Sequence, residues 1–390
     1  MTGVAQNLPY WTIMPVIIAP AIIFGCNALL FVSLFTRLPD LAAHLSLDKG
    51  ALGTVILCSG IGGVLSTTVA GRIVARLTPP VASIIGIIIM AACVFSMTYA
   101  SVPVLALLFF IMGANNTILE VAQNLVSLRI EEDTGRKVLA RSHGFWSAGM
   151  IVGSAISAGM TNAHISPQLH IGAMGVLAIA LCCVIVPLFA PRNWPVAAPV
   201  ETRKRRITLP NKAIFLLCLT IWGLVLLEGA AYDWGVFFLR EVNLFSPAVA
   251  SLVYGAMSVS MFIMRMTGDS LRARVSDGAI LRGAAVAGFL AVVLLLVGRS
   301  VPVATIAMLL MGVSAAMVFP VAVAIANGRS GLDGGDGIAA LSATLTLAHI
   351  GVPPLMGFIA EGAGLPFVFG ILLLPIALTF VLAPRVAGRS

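Results

Sequence analysis

Twelve stretches of this chain are mostly apolar and about 20 residues long, the length a helix needs to cross a bilayer. They fall at roughly 13–36, 50–70, 80–100, 103–128, 142–163 and 169–190, then at 213–238, 246–266, 279–298, 302–327, 338–360 and 364–384. No other feature limits the fold as tightly. A segment in lipid must satisfy every backbone N–H and C=O by itself, so each span is expected to be a helix. Composition enters only to exclude the alternative. Charged residues make up 10% of the chain and hydrophobic ones 59%, against about 25% charged in a soluble domain. A soluble fold of this size could not cover that much apolar surface.

Six spans precede the one long polar run, Trp194 to Pro210, and six follow it. Arg203, Lys204, Arg205 and Arg206 sit together in that run. The expected organisation is therefore a helical bundle over 1–190, a linker over 191–212 and a second bundle over 213–390. Basic residues cluster in alternate loops: Arg72, Arg76, Arg129, Arg136, Lys137, Arg141, Arg192, the linker, Arg272, Arg274, Arg282, Arg329, Arg385 and Arg389. The opposite loops keep Arg37, Lys49, Arg240 and Arg299. The positive-inside rule then puts both termini in the cytoplasm of a bacterial inner membrane.

The net charge of +8 is accounted for by those loops, so no nucleic-acid partner is expected. Cys26, Cys58, Cys93, Cys182, Cys183 and Cys218 all lie in apolar runs without metal spacing, and read as buried small residues. Met1 to Pro15 lacks Lys and Arg, so no cleaved signal is expected. There is no Walker loop, no Gly-x-Ser-x-Gly elbow and no metal-spaced His/Cys set. Asp333 and Asp336 share a glycine-rich loop too short for a calcium site. These absences predict neither enzyme nor cofactor.

The halves echo each other at an offset of about 200 residues, the mark of transporters built from repeats. Gly71 to Leu77, with Arg72 and Arg76, follows span 2; Gly268 to Arg274, with Asp269, Arg272 and Arg274, follows span 8. Gly113 in span 4 matches Gly312 in span 10. On these features the chain resembles the major facilitator superfamily along essentially its whole length. Within it the chain is similar to the MosC/YbjJ-like branch near the fucose permeases. The residues concerned are Arg37 to Asp40, Arg141 to Ser147, Glu228 to Trp234, and the Glu120-Val-Ala-Gln-Asn124 pattern. Where the fucose permease group carries an acid in span 1, this chain has Asn27. The resemblance implies two six-helix bundles and solute transport, with the loops after spans 2 and 8 clamping one state.

Polar and charged side chains inside spans mark a pathway by default. Asn116, Glu120, Gln123, Asn124 and Ser127 fall on one stripe of span 4. Glu228 and Tyr232 lie in span 7, with Asp233 and Trp234 further along it, where Trp234 suits an interfacial belt. Span 11 carries His349 near Pro353 and Pro354, and paired prolines are expected to break the helix there. Asn27 in span 1 either lines a cavity or bonds a neighbouring helix. His143, Ser154, Ser157 and Gly149 to Gly153 in span 5 read mainly as helix packing. Arg37 and Asp40 form a candidate gate pair. Arg265 and Asp269, spaced i, i+4, form a candidate clamp with Arg272 and Arg274.

The sequence therefore reads as a monomeric secondary transporter for a small polar solute, sugar-like or polyol-like, driven by protons or another ion. Efflux of amphipathic compounds and ligand sensing without flux are the alternatives.

Overall fold

The computed structural model describes residues 14–135, 138–190, 194, 211–329 and 334–387. The described residues are almost entirely helical, with no strand among them. The linker expected at 191–212 lies outside them apart from Trp194, Asn211 and Lys212, as do Arg136, Lys137 and Asp333.

Packing divides the chain into two compact units, Met1–Leu41 with Cys58–Thr202, and Ala42–Leu57 with Arg203–Ser390. The first unit is built on α1 (Met14–His44), α2 (Lys49–Ser66), α3 (Ala70–Leu77), α4 (Pro79–Met97), α5 (Val102–Thr134), α6 (Leu139–Asn162) and α7 (Pro167–Phe189). The second is built on α8 (Lys212–Phe237), a π-helical turn (Phe238–Val242), α9 (Pro247–Arg272), α10 (Asp277–Val297), α11 (Val301–Ala316), α12 (Val318–Arg329), α13 (Gly334–Ala363), α14 (Leu365–Ile371) and α15 (Leu373–Ala387). The Ala42–Leu57 end of α2 groups with this second unit.

Eleven helical segments are long and apolar enough to cross a membrane among the described residues. The remaining expected span is α6, 24 residues long, whose His143, serines and threonines make it less apolar. Two spans are assembled from two helices each: α11 and α12 meet at Met317, α14 and α15 at Leu372. The segment after span 2 is not a simple loop, because Ala70–Leu77 forms the separate helix α3.

Helix ends follow local chemistry. Asn211 Oδ1 accepts the Ile214 N–H at 3.0 Å and starts α8. Ser276 Oγ does the same for Ala279 at the start of α10. Gly135 ends α5 at a φ of 68°, a conformation that favours glycine. Glu131 Oε1 then accepts the Leu139 N–H at 2.9 Å, holding the start of α6.

The sequence repeat is realised as packing. A Cβ on Gly113 would collide with the Ser59 carbonyl of α2, and one on Gly312 with the Met257 carbonyl of α9. Each half thus uses one glycine to bring its fourth span against its second at backbone distance. Neighbouring contacts repeat too: Asn115 donates to the Gly86 carbonyl at 2.9 Å, and Gly288 lies against Ser314 Oγ.

One expectation is overturned. Pro353 and Pro354 sit inside α13, which runs unbroken from Gly334 to Ala363. Each proline removes a donor, yet the helix continues through both, and Gly53 of α2 lies against its backbone at Pro353.

Candidate functional site

In the first unit, α5 is held on four sides. Gly113 meets α2, Asn115 bonds α4, and Ser127 Oγ lies 2.9 Å from Ser142 Oγ of α6. On the side toward α1, Asn27 Nδ2 donates to Asn116 Oδ1 at 3.4 Å. The Asn27 side chain is thus bonded to a neighbouring helix, one of its two sequence readings. Asn116 and Glu120 are exposed although they lie in the middle of a span. One turn on, Gln123 Oε1 and Asn124 Oδ1 are buried acceptor atoms with no hydrogen-bond partner. Glu120, Gln123 and Asn124 share a face through their i, i+3 and i, i+4 spacing. The arrangement concentrates oxygen acceptors on one turn of α5, suited to a ligand that supplies donors.

The α6 face expected to pack does so. Gly149 sits on the Gly25 carbonyl of α1. Ser157 Oγ lies 2.7 Å from Thr36 Oγ1, and the His143 ring meets Phe24 edge-on at 5.1 Å.

Arg37 is 4% exposed. Its Nε donates to His170 Nδ1 at 3.3 Å, its second guanidinium nitrogen to the Ile165 carbonyl at 2.9 Å, and a third contact reaches Asp40 at 3.5 Å. All these partners lie in the first unit: His170 ties α1 to α7, Ile165 lies just before α7, and Asp40 is one turn on in α1. Sequence reading missed His170; its signal was a histidine within an apolar span.

In the second unit, the Tyr232 hydroxyl lies 3.3 Å from Met261 Sδ and Tyr254 donates to the Tyr232 carbonyl at 3.2 Å. These contacts set the register of the antiparallel pair α8 and α9. Tyr254 lies over Tyr232 and Gly235 while the Tyr232 side chain reaches on to Met261, so α9 runs alongside α8 toward the linker end, where Glu228 and Arg265 lie. The sequence offers Glu228 no neighbouring cation; the nearest candidate in the fold is Arg265, on the adjoining helix α9. Trp234 is fully buried, its ring 5.6 Å from Phe237, so it is not an interfacial belt residue.

Of the clamp residues, Arg272 pairs with Asp277 at 3.4 Å, and Arg274 closes a turn through its N–H to Leu271. The side chains of Asp269 and His349 lie outside the described residues. Groups of three or more metal-ligating side chains do not occur among the described residues.

Comparison with known proteins agrees with this architecture. The chain is 28% identical over 363 residues to an uncharacterised transporter, y4wD, of Sinorhizobium fredii, covering 93% of this chain and 95% of that one. It is 23% identical over 365 residues to the membrane protein MosC of Rhizobium meliloti, covering 90% and 84%. Among solved structures, the nucleoside transporter NupG superposes with a TM-score of 0.70 at 14% identity, covering 95% of this chain and 98% of that one. The transporter FucP in its outward conformation superposes with 0.61 at 17% identity, covering 97% and 100%. The Major Facilitator Superfamily model matches residues 20–330, and the chain, a multi-pass membrane protein of transporter architecture rather than an enzyme, belongs to that family.

Proposed function

We propose that this protein is a secondary transporter for a small, donor-rich polar solute, such as a sugar, a polyol or a nucleoside, and that Glu120 couples its movement to protons. The observation that carries the reading is the α5 turn: exposed Glu120 beside the unpartnered acceptors Gln123 Oε1 and Asn124 Oδ1. Acceptors left bare in a membrane protein are costly, and hydroxyl or amide donors on a solute would satisfy them. An intramembrane carboxylate beside such a site is a natural proton carrier. Asn27 and Asn116 brace the same face.

The relatives support the solute class by name alone: one structural neighbour is a nucleoside transporter. The proposed setting is an inner membrane with both termini cytoplasmic, following the basic loops, and alternating access between the two bundles.

The test is transport by the reconstituted protein, with uridine, L-fucose and myo-inositol as probes. Glu120→Gln should keep exchange of the transported probe and lose its accumulation under an imposed pH gradient. Normal pH-driven accumulation by that variant would remove Glu120 from coupling. Failure of the wild type to move any probe would remove this solute class.

A further inference from the structure

Arg282 is an exposed arginine within a span. It lies five residues beyond Asp277 in α10, whose Asp277–Val297 stretch is long and apolar enough to cross a membrane. Its Cα therefore sits about 8 Å inside the start of the helix, at a rise of about 1.5 Å per residue. Its Nε donates to the Phe380 carbonyl of α15 at 3.4 Å, and its guanidinium carbon stands 5.2 Å from the centre of the Phe380 ring. The ring contact is a cation–π interaction that holds the group in place. The carbonyl uses one of the several N–H donors of a guanidinium. Among the described residues no acid lies within ion-pair distance of Arg282. A cation on the surface of a span is costly unless it reaches the interface or meets an anion.

The same end of the second unit carries surplus positive charge. Arg385, in the last turn of α15, is exposed. Asp277, at the start of α10, is taken by Arg272 at 3.4 Å. α11, α14 and α15 contain no acid. Gly283 has open space where a side chain would stand, which leaves room beside Arg282. Further along the seam the surface is apolar. Val286 and Phe289, at i+4 and i+7 from Arg282, are exposed, as are Ala377 and Leu374 on α15. The two spans stay together to the far end, where Leu296 Cδ1 comes 3.8 Å from the Cβ position of Gly370.

The first half supplies a comparison within the same chain. α4 and α7 are its third and sixth spans, equivalent to α10 and the α14–α15 span, and they pack together with Gly175 against Ala91. Both expose apolar side chains, Ile85 and Val184 among them, yet neither contains Lys or Arg. This pair of spans therefore packs without cations, so packing does not account for Arg282.

We propose that the linker-side end of the α10–α15 seam binds one anionic phospholipid. Arg282 takes the phosphate through charge-assisted hydrogen bonds, Arg385 adds positive potential at the rim, and an acyl chain lies along Val286 and Phe289. Basic pockets between spanning helices suit acidic headgroups in this way. The site does not depend on the solute carried or on how Glu120 is used.

The test is native mass spectrometry of the full-length protein in a neutral detergent, titrated with dioleoyl phosphatidylglycerol or with dioleoyl phosphatidylcholine. The wild type should retain one phosphatidylglycerol at a concentration several-fold lower than it needs for phosphatidylcholine. Arg282→Gln should bring the two lipids level without changing phosphatidylcholine binding. Arg282→Lys, which keeps the charge, should keep most of the preference, and so separates loss of the site from loss of the fold. Arg72→Gln, an exposed arginine on α3 of the first unit, should leave the preference intact. Equal binding of both lipids by the wild type would overturn the proposal, and a preference that survives Arg282→Gln would place the anionic lipid elsewhere and overturn it too. Displacement of phosphatidylglycerol by equimolar glycerol 3-phosphate would make this a site for soluble phosphates. A dimer that excludes phosphatidylglycerol would mean that a second copy covers the seam. Either result would remove the lipid.

Discussion

Lys49 Nζ stands 2.9 Å from Glu241 Oε2, and the Lys49 N–H donates to Glu361 Oε2 at the same distance. Two acids from different parts of the second unit thus hold one lysine at the start of α2. Beneath them, Gly53 lies against the Pro353 backbone and Gly50 under the Phe358 ring. The backbone contact matters more than the charge. The ion pair is partly exposed, so Lys49→Ala should cost less than about 1 kcal/mol. Gly53→Leu should instead detach the segment, because its side chain has no room beside Pro353. With Lys49→Cys and Glu241→Cys in place, cross-linking by a short bifunctional thiol reagent, which spans the length of the two lost side chains, should proceed readily and fall sharply when Gly53→Leu is added. Equal cross-linking in both backgrounds would show that the glycine contact does not hold the segment.

The two repeat glycines should be equivalent in their sensitivity. Gly113→Ala and Gly312→Ala each drive a methyl group into a backbone carbonyl, and overpacking of this kind costs about 1–3 kcal/mol. Gly159 in α6 has nothing within 4 Å of its Cβ position, so Gly159→Ala should be neutral or stabilising. Melting of the purified variants checks the contrast. A Gly113→Ala protein as stable as the wild type would contradict the close approach of α5 to α2.

His170 should matter through Arg37. Removing the imidazole leaves Arg37 Nε, buried at the α1–α7 contact, without its acceptor. His170→Ala should therefore cost about 1–3 kcal/mol, and His170→Gln, whose amide oxygen can accept, should recover part of it. Arg37→Lys should not substitute, since an ammonium cannot reach three acceptors with the guanidinium's fixed fork. Thermal unfolding of the three variants tests the order.

Glu228 and Arg265 should behave as a coupled pair. Glu228→Gln and Arg265→Gln each leave one charge in the membrane interior without its counterpart, whereas the double variant leaves none. The double variant should be less damaged than the sum of the singles. Arg272→Gln, which loses only a half-exposed contact to Asp277, should be nearly additive with Glu228→Gln. Strict additivity for Arg265 would mean that its charge is directed elsewhere.

Much of this architecture is written in the chain. The spans are legible because lipid leaves the backbone no alternative to internal hydrogen bonds, so apolar run length alone defines helices. Gly113 and Gly312 are legible as equivalents because a repeat must reuse the same small residue wherever two backbones touch. The α5 stripe is legible because helical periodicity places Asn116, Glu120, Gln123 and Asn124 on one face whatever surrounds them.

Pairing across helices was decided only by the tertiary structure. Arg265 reads in sequence as the i, i+4 neighbour of Asp269, and only the contact of Tyr232 with Met261 shows that its helix runs beside the one carrying Glu228. His170 becomes the partner of Arg37 through contact between residues 133 positions apart. Trp234 looks interfacial from its place in the span and is buried by Phe237 and its neighbours. Pro353 and Pro354 look like a break, yet α13 stays continuous, with Gly53 of another helix against its backbone. Local sequence sets which residues share a helix face, since backbone geometry fixes that within a few turns. Which face meets which depends on the packing of whole helices, and a single helix carries no record of it.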